Sequence, residues 1–224
     1  MFMQDTARFV AAASAIPVPV LAAPVRSGLV AATLIDTATG WRAAGSLRRG
    51  DRLHSFDGGL RDVIAVNRTW LMPGEASLLM LPGGILNNAA DLALLPGQHL
   101  LIDTWNEAGL PDALMALAPA EALIGLAGTR CHVIADPLEI VTPVFAEEEV
   151  IYANGGLLLH CPGAASNPAA PQDSYFTHLA VPQARALLRR QLIDAVSLSV
   201  SLREQAEVAE KTALRAVFRR TRAA

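Results

Sequence analysis

The chain has 224 residues, of which 52% are hydrophobic and 17% are charged, so its composition excludes wholesale disorder and is sufficient for a large domain with a buried core. Residues 1–182 carry 9 basic and 17 acidic side chains, a net charge of −8, whereas residues 183–224 carry 9 basic and 4 acidic side chains, a net charge of +5. This distribution disfavours nucleic-acid binding by the body and favours contact between the basic C-terminal helix and an acidic surface.

Residues 1–26 are predicted to form an N-terminal arm. Residues 9–25 are apolar and uncharged, but the first eight residues are neutral overall, and Pro17 and Pro19 interrupt the apolar run. These features disfavour both a cleaved signal peptide and a membrane span. Location in the cytoplasm and export without a cleaved signal are both compatible with this beginning.

The stretch from Leu29 to Val66 has the pattern of a β-meander. Three turn signals follow one another at residues 38–40, 49–51 and 57–59, and short β-favouring runs separate them. We expect these runs to form the first strands of a sheet.

Short apolar runs continue to residue 163 and alternate with turn residues, which predicts a compact all-β body over residues 27–163. Predicted strands lie near 33–36, 51–56, 61–70, 76–81, 91–95, 99–104, 131–135, 138–145 and 149–159. The exception is 111–127, where Ala and Leu predict helical turns that start at Pro111 and again near Pro119.

The C-terminal part of the chain changes in character. Residues 164–182 are rich in Pro, Ala, Ser and Asn and are predicted to be a linker, and residues 183–224 to be a helical appendage. One apolar stripe at helical spacing consists of Ala184, Leu187, Leu188, Leu192 and Ala195. A second consists of Leu202, Ala206, Ala209, Ala213 and Ala216, and it ends in the basic cluster of Arg215, Arg219, Arg220 and Arg222. We interpret the cluster first as solvated charge at a helix C-terminus.

Three segments in the same order resemble the bacterial Hedgehog/intein (Hint) domains. The first is the meander at 29–66, the second is 87–103, which matches the family pattern D-L-x-V-S-P-x-H-x-V-L, and the third is 144–163, which is close to the pattern H-E-V-V-x-A-N-G. The resemblance implies an all-β Hint-like fold with an α-helical C-terminal appendage.

The resemblance also implies a self-cleavage chemistry, in which a Cys or Ser at the head of the first strand attacks the preceding carbonyl. That position lies five residues before the family threonine, here Thr33, and is occupied by Gly28. Ser27 is a weak substitute nucleophile because it is one position upstream. His99 is interpreted as the retained family histidine, which assists departure of the amide nitrogen, with Gly97 as an insertion before it.

The third segment departs from the family pattern too. Glu148 or Glu149 stands where the family has histidine, and the closing His-Asn pair of inteins is replaced by His160 and Cys161. A thiol cannot perform asparagine cyclisation. We therefore predict that autoproteolysis and splicing are lost, and that the domain is a binding or structural module for a protein partner that the sequence does not identify. The alternative is an active domain that cleaves near residues 26–28.

The sequence predicts no cofactor. Cys131, His132, His160 and Cys161 are four potential zinc ligands. Adjacent residues of a strand point to opposite faces, which argues against chelation by either pair. We favour two reduced, partly buried thiols over a disulfide or a zinc site.

Overall fold

The computed structural model describes residues 26–105, 114–165 and 174–193. Most of the predicted N-terminal arm, the middle of the predicted linker and the second helical stripe with its basic cluster lie outside the described residues.

Short strands make up most of the described chain. In order they are β1 (Leu29–Val30), β2 (Leu34–Thr37), β3 (Gly40–Ala43), β4 (Arg52–Ser55), β5 (Gly59–Asp62), β6 (Ala65–Leu71), β7 (Ser77–Leu81), β8 (Leu92–Leu94), β9 (His99–Asp103), β10 (Met115–Pro119), β11 (Arg130–Val133), β12 (Leu138–Val144), β13 (Glu149–Ala153), β14 (Leu157–Cys161) and β15 (Thr177–His178). Two 3₁₀ helices cover Ala44–Ser46 and Ala120–Leu123, and an α-helix, α1, covers 181–193. The predicted all-β body with a C-terminal helix is confirmed.

The strands form two sheets. The first has the order β11-β7-β8-β1-β12-β6, and the second has the order β15-β10-β9-β14-β13-β2-β4-β5, with β3 paired to β2. Strand β1 is central in the first sheet, because Leu29 pairs with both Val141 of β12 and Leu94 of β8. The residue that precedes β1 is therefore surrounded by backbone on both sides.

A hydrophobic core contains side chains from both sheets and from α1. Among its fully buried members are Ile35 of β2, Leu79 of β7, Leu100 of β9 and Ile151 of β13. Burial of this many Leu, Ile and Val side chains, at roughly 1.5–3 kcal/mol each, is what fixes the two sheets together.

The meander follows its turn signals, since residues 38–40 connect β2 to β3 and residues 57–59 connect β4 to β5. Gly59 has a φ of 66°, a conformation that favours glycine in a tight hairpin. The predicted strand 61–70 is instead two strands. β5 pairs with β4 in the second sheet and β6 pairs with β12 in the first, so the chain changes sheets near Val63.

The helical turns predicted over 111–127 are only partly present. The turn near Pro119 exists as the 3₁₀ helix Ala120–Leu123, but residues 115–119 form strand β10, so a helix there is wrong. The predicted helix start at Pro111 lies outside the described residues. β10 pairs with β9 along its whole length and is buried at four of five positions. Burial between neighbours outweighs the weak helix propensity of Ala and Leu.

The predicted apolar stripe of α1 faces the core, with Ala184, Leu187 and Leu188 buried and Leu192 packed against the cluster. Before α1, within the predicted linker, β15 pairs in parallel with β10. This part of the chain is therefore an edge strand of the second sheet.

Within the described ranges, no helix has the length and apolar character that crossing a membrane requires.

Candidate functional site

Gly28 lies buried at the head of β1 with a φ of 123°. A β-carbon built on this residue would lie 2.5 Å from Cγ2 of Ile140 and 2.9 Å from Oγ1 of Thr142, both on β12. Atoms at such distances overlap, and the backbone conformation itself disfavours an L-residue with a side chain. The position therefore fits glycine and does not accommodate a cysteine or serine unless the Ile140 and Thr142 side chains move.

Gln98 contacts the amide at this position. Its Oε1 accepts a hydrogen bond from the Gly28 N–H at 2.9 Å, and its Nε2 donates to the His160 carbonyl at 2.8 Å. The adjacent Gly97 N–H donates to the Arg26 carbonyl at 2.8 Å. The side chain of Gln98 is buried, with 2% of the residue exposed. The turn between β8 and β9 thus holds the Ser27-Gly28 peptide from one side.

Sequence analysis missed Gln98. The structure records the hydrogen bond to the Gly28 amide for Gln98, whereas the sequence had indicated His99. Counting from Pro96 without an insertion aligns Gln98 with the histidine of the family pattern, and this signal could have identified it. Gln98 and His99 are neighbours at the start of β9, so the chain presents their side chains to different surroundings.

His99 belongs to a cluster of three imidazoles. Its ring centroid lies 4.8 Å from that of His178 on β15 and 6.3 Å from that of His160 on β14, and the His160 and His178 centroids are 6.0 Å apart. The sequence alone does not bring His178 into this cluster, because nothing in it pairs β15 with β10.

Glu148 connects this cluster to the segment that precedes β15. Its Oε2 accepts a hydrogen bond from Nε2 of His160 at 2.9 Å, and both of its carboxylate oxygens lie 2.9 Å from the Ser174 hydroxyl. The Tyr175 N–H donates to Oε1 of the same carboxylate. A single half-buried carboxylate therefore accepts from three different donors.

The three imidazoles are held in their neutral form. Burial, followed by repulsion from His178 and His160, lowers the pKa of His99 to about 4. Burial also lowers the pKa of His160 and of His178, and in both cases Glu148 partly opposes the effect.

The Glu148 carboxyl is ionised at neutral pH. Burial raises its pKa, but the hydrogen bonds from His160, Ser174 and Tyr175 outweigh burial and bring the pKa below its ordinary value.

Glu149 occupies a different environment, although it was the other candidate for the family histidine position. It is buried, accepts from the Ser55 hydroxyl and lies 3.1 Å from Nε of Arg61. Glu149 therefore links β13 to β4 and β5 and has a structural role, whereas Glu148 contacts the histidine cluster.

The two cysteines are free and lie in different sheets. Cys131 is exposed on β11 beside His132, and Cys161 is buried on β14 beside His160. Burial and the neighbouring Glu149 charge raise the pKa of Cys161, so its thiol stays protonated. The structure does not bring the four proposed zinc ligands together. In the described residues, no group of three or more His, Cys, Asp and Glu side chains could hold a metal ion.

A cavity of about 1060 Å³ contains these features. Four of the five sequence-predicted catalytic candidates line it, namely Ser27, Gly28, His99 and His160. The fifth, Thr33, is buried in the turn between β1 and β2 and is not part of the cavity wall. The site therefore places histidines and a held amide around one space, without a nucleophile at residue 28.

Comparison with known proteins gives a match between residues 27–158 and the family model described as Hint domain. Among solved structures, a bacterial intein-like domain from Clostridium thermocellum is 14% identical, with 60% of this chain and 98% of that chain covered at a TM-score of 0.42. The gp41-1 intein is 13% identical, with 60% of this chain and 98% of that chain covered at a TM-score of 0.41. A search of curated proteins gave no significant match.

Proposed function

Because the chain belongs to the Hint domain family, we propose that this member has lost autoproteolysis and protein splicing and serves as a binding or structural module. The observation that carries the proposal is the enclosure of Gly28 by Ile140 and Thr142. The family reaction begins with a Cys or Ser side chain at this position, and here the space for such a side chain is filled.

The group that holds the amide supports the same proposal. Departure of an amide nitrogen as an amine needs a proton, which an imidazole supplies far more readily than a carboxamide. Gln98 accepts from the Gly28 N–H and has no acidic proton to transfer at neutral pH. Its Oε1 instead holds this amide in its ground state, while its Nε2 donates to the His99 and His160 carbonyls and fixes the side chain in place.

The end of the Hint segment lacks the last step of splicing as well. Asparagine cyclisation uses the side-chain carboxamide nitrogen as nucleophile, and Cys161 has a buried, protonated thiol in its place. His160 at the preceding position donates to Glu148, so its Nε2 is engaged in a structural contact.

The test is the intact mass of the purified full chain after incubation with dithiothreitol and, separately, with hydroxylamine. Dithiothreitol cleaves thioesters and hydroxylamine cleaves both thioesters and esters, so an active domain would break near residues 26–28 in at least one of the two incubations. We expect one species at 23.6 kDa under both conditions. A reagent-dependent break near residues 26–28 would refute the proposal and support the self-cleaving alternative.

A further inference from the structure

The segment Ser174–Leu179, called the strap below, forms one wall of the cavity. Ser174, Tyr175 and His178 line the same cavity as Gly28 and Gln98. The His178 ring packs edge-on against His99, at a centroid distance of 4.8 Å. The strap and the Ser27-Gly28 peptide therefore border the same space.

The C-terminal half of the strap is fastened by backbone and apolar contacts. Thr177 and His178 form β15 beside β10, and the Leu179 N–H donates to the Leu117 carbonyl at 2.9 Å. Leu179 is buried in the main core. Contacts of this kind are insensitive to the charge of any one side chain.

The N-terminal half is fastened differently. The Ser174 hydroxyl and the Tyr175 N–H both donate to Glu148, and the Tyr175 side chain is 83% exposed and adds little apolar burial. The Phe176 N–H in turn donates to Oγ of Ser174 at 3.2 Å, and His178 Nε2 lies 3.1 Å from the same oxygen. One carboxylate therefore holds the backbone of residues 174–176, both directly and through Ser174, and the partly buried Phe176 side chain adds apolar packing against Leu101, Leu117 and Val150.

We propose that Glu148 is a latch that closes residues 174–176 over the cavity, and that release of this latch opens the cavity while β15 stays paired. His160 supports the closed state by donating to Glu148 from β14. The carboxylate thus accepts one hydrogen bond from His160 on β14, and its remaining lone pairs accept from the donors of the strap.

The charged and titratable groups around the latch come from four elements. They are His99 on β9, His160 on β14, His178 on β15 and Glu147 next to Glu148. Burial holds all three imidazoles neutral at pH 7, so the Glu148 carboxylate is the charge that the strap donors meet.

The experiment is hydrogen exchange by mass spectrometry on the full chain, with wild type compared with Glu148→Ala at pH 7. Loss of the latch should raise the exchange rates of the Tyr175 and Phe176 amides by about tenfold or more, because these amides lose their acceptor or its support. The Leu179 amide should keep its wild-type rate. Glu147→Ala is the matched control, since Glu147 lines the same cavity and makes no hydrogen bond to the described strap.

Unchanged exchange at residues 175 and 176 in Glu148→Ala would overturn the latch. Equal acceleration at Leu179 would also overturn it, because the strap would then move as one piece with β15. If Glu148→Ala does not fold, Ser174→Ala replaces it; it removes the hydroxyl with its contacts to Glu148, the Phe176 N–H and His178, and leaves the contact between the Tyr175 N–H and Glu148. We then expect faster exchange at Phe176, and an unchanged rate there refutes the proposal. The readout involves no cleavage, so it is independent of the test of the proposed function.

Discussion

Residue 28 has no side chain, and its neighbours occupy the space that a side chain would need. Ile140 and Thr142 approach Gly28 so closely that a β-carbon would overlap them, and Gln98 binds its amide from the opposite direction. These features come from β12 and from the β8–β9 turn, far apart in sequence. The surrounding residues therefore fit glycine at this position. The site differs from an active one by more than the loss of one reactive atom.

The Gln98 contact has a measurable effect on stability. Gln98→Leu keeps the approximate volume but leaves the buried Gly28 amide without its acceptor, which costs about 1–3 kcal/mol. We expect a lower urea midpoint with an unchanged slope. Gln183→Ala is the control, because Gln183 is exposed on α1, and it should leave the midpoint nearly unchanged. An unaltered midpoint in Gln98→Leu would show that the contact contributes nothing to stability.

The sequence identifies residue 28 and the turn between β8 and β9 as parts of the site, but it does not predict the contact between them. The ordered family segments place Gly28 at the nucleophile position. They also limit the candidates for the side chain that binds the Gly28 amide to the stretch Pro96–His99. A shift of one residue in the alignment decides whether the family histidine corresponds to His99 or to Gln98. In an extended chain the side chains of these two neighbours point to opposite faces. Only the three-dimensional arrangement resolves which of the two is bound to the amide.

At the level of elements, three strands assemble the histidine cluster. β9, β14 and β15 each contribute one imidazole, and β15 lies across β10 from the other two. The sequence could not predict this cluster, because β15 lies within a Pro- and Ala-rich segment whose composition indicates a linker. A two-residue parallel pairing has no sequence pattern of its own, since its stability comes from the neighbouring strand and from Leu179.

The cluster makes stability depend on pH in a defined window. The folded-state pKa of His99 is about 4, below its ordinary value of 6.5, and those of His160 and His178 are shifted in the same direction. The unfolded chain therefore binds more protons between pH 6.5 and 4, and stability falls as pH falls through that range. The slope per histidine is at most about 1.4 kcal/mol per pH unit.

This is measured by urea denaturation at intervals from pH 7.5 to 4. We expect His99→Phe to flatten the profile relative to wild type. Glu148 contributes in a lower window, because its lowered pKa keeps its stabilising charge until the pH falls below the ordinary range of a carboxyl group. Stability that is constant or increases on acidification from pH 6.5 to 4 would contradict the buried, neutral state of the imidazoles.

For the whole molecule, the sequence predicts the class of fold and the order of most strands. The turn residues at 38–40 and 57–59 mark true hairpins, and the apolar stripe from Ala184 to Leu192 marks α1. What it does not predict is which sheet each strand joins. The run 61–70 carries no signal for the change of sheet near Val63, because both of its halves favour extended backbone equally.

The two-sheet arrangement also explains why groups from both sheets meet at the site. β1 is central in the first sheet, while β9 and β14 are central in the second, so the cavity lies where the two sheets approach each other. Groups from both sheets, together with the strap, then surround the Ser27-Gly28 peptide. A side chain added at residue 28 has to displace the side chains of Ile140 and Thr142 and to adopt a φ that favours glycine, and this is why restoring a thiol there should not restore the reaction.

The most direct test of this central claim is the variant Gly28→Cys in the full chain, analysed by intact mass with and without dithiothreitol. It returns the family nucleophile to its position but leaves Gln98 and the packing of β12 unchanged. We expect an uncleaved chain, destabilised by about 1–3 kcal/mol through overpacking against Ile140. Dithiothreitol-dependent cleavage between Ser27 and residue 28 would contradict the account, because it would mean that the scaffold still supports the reaction and that only the nucleophile was missing.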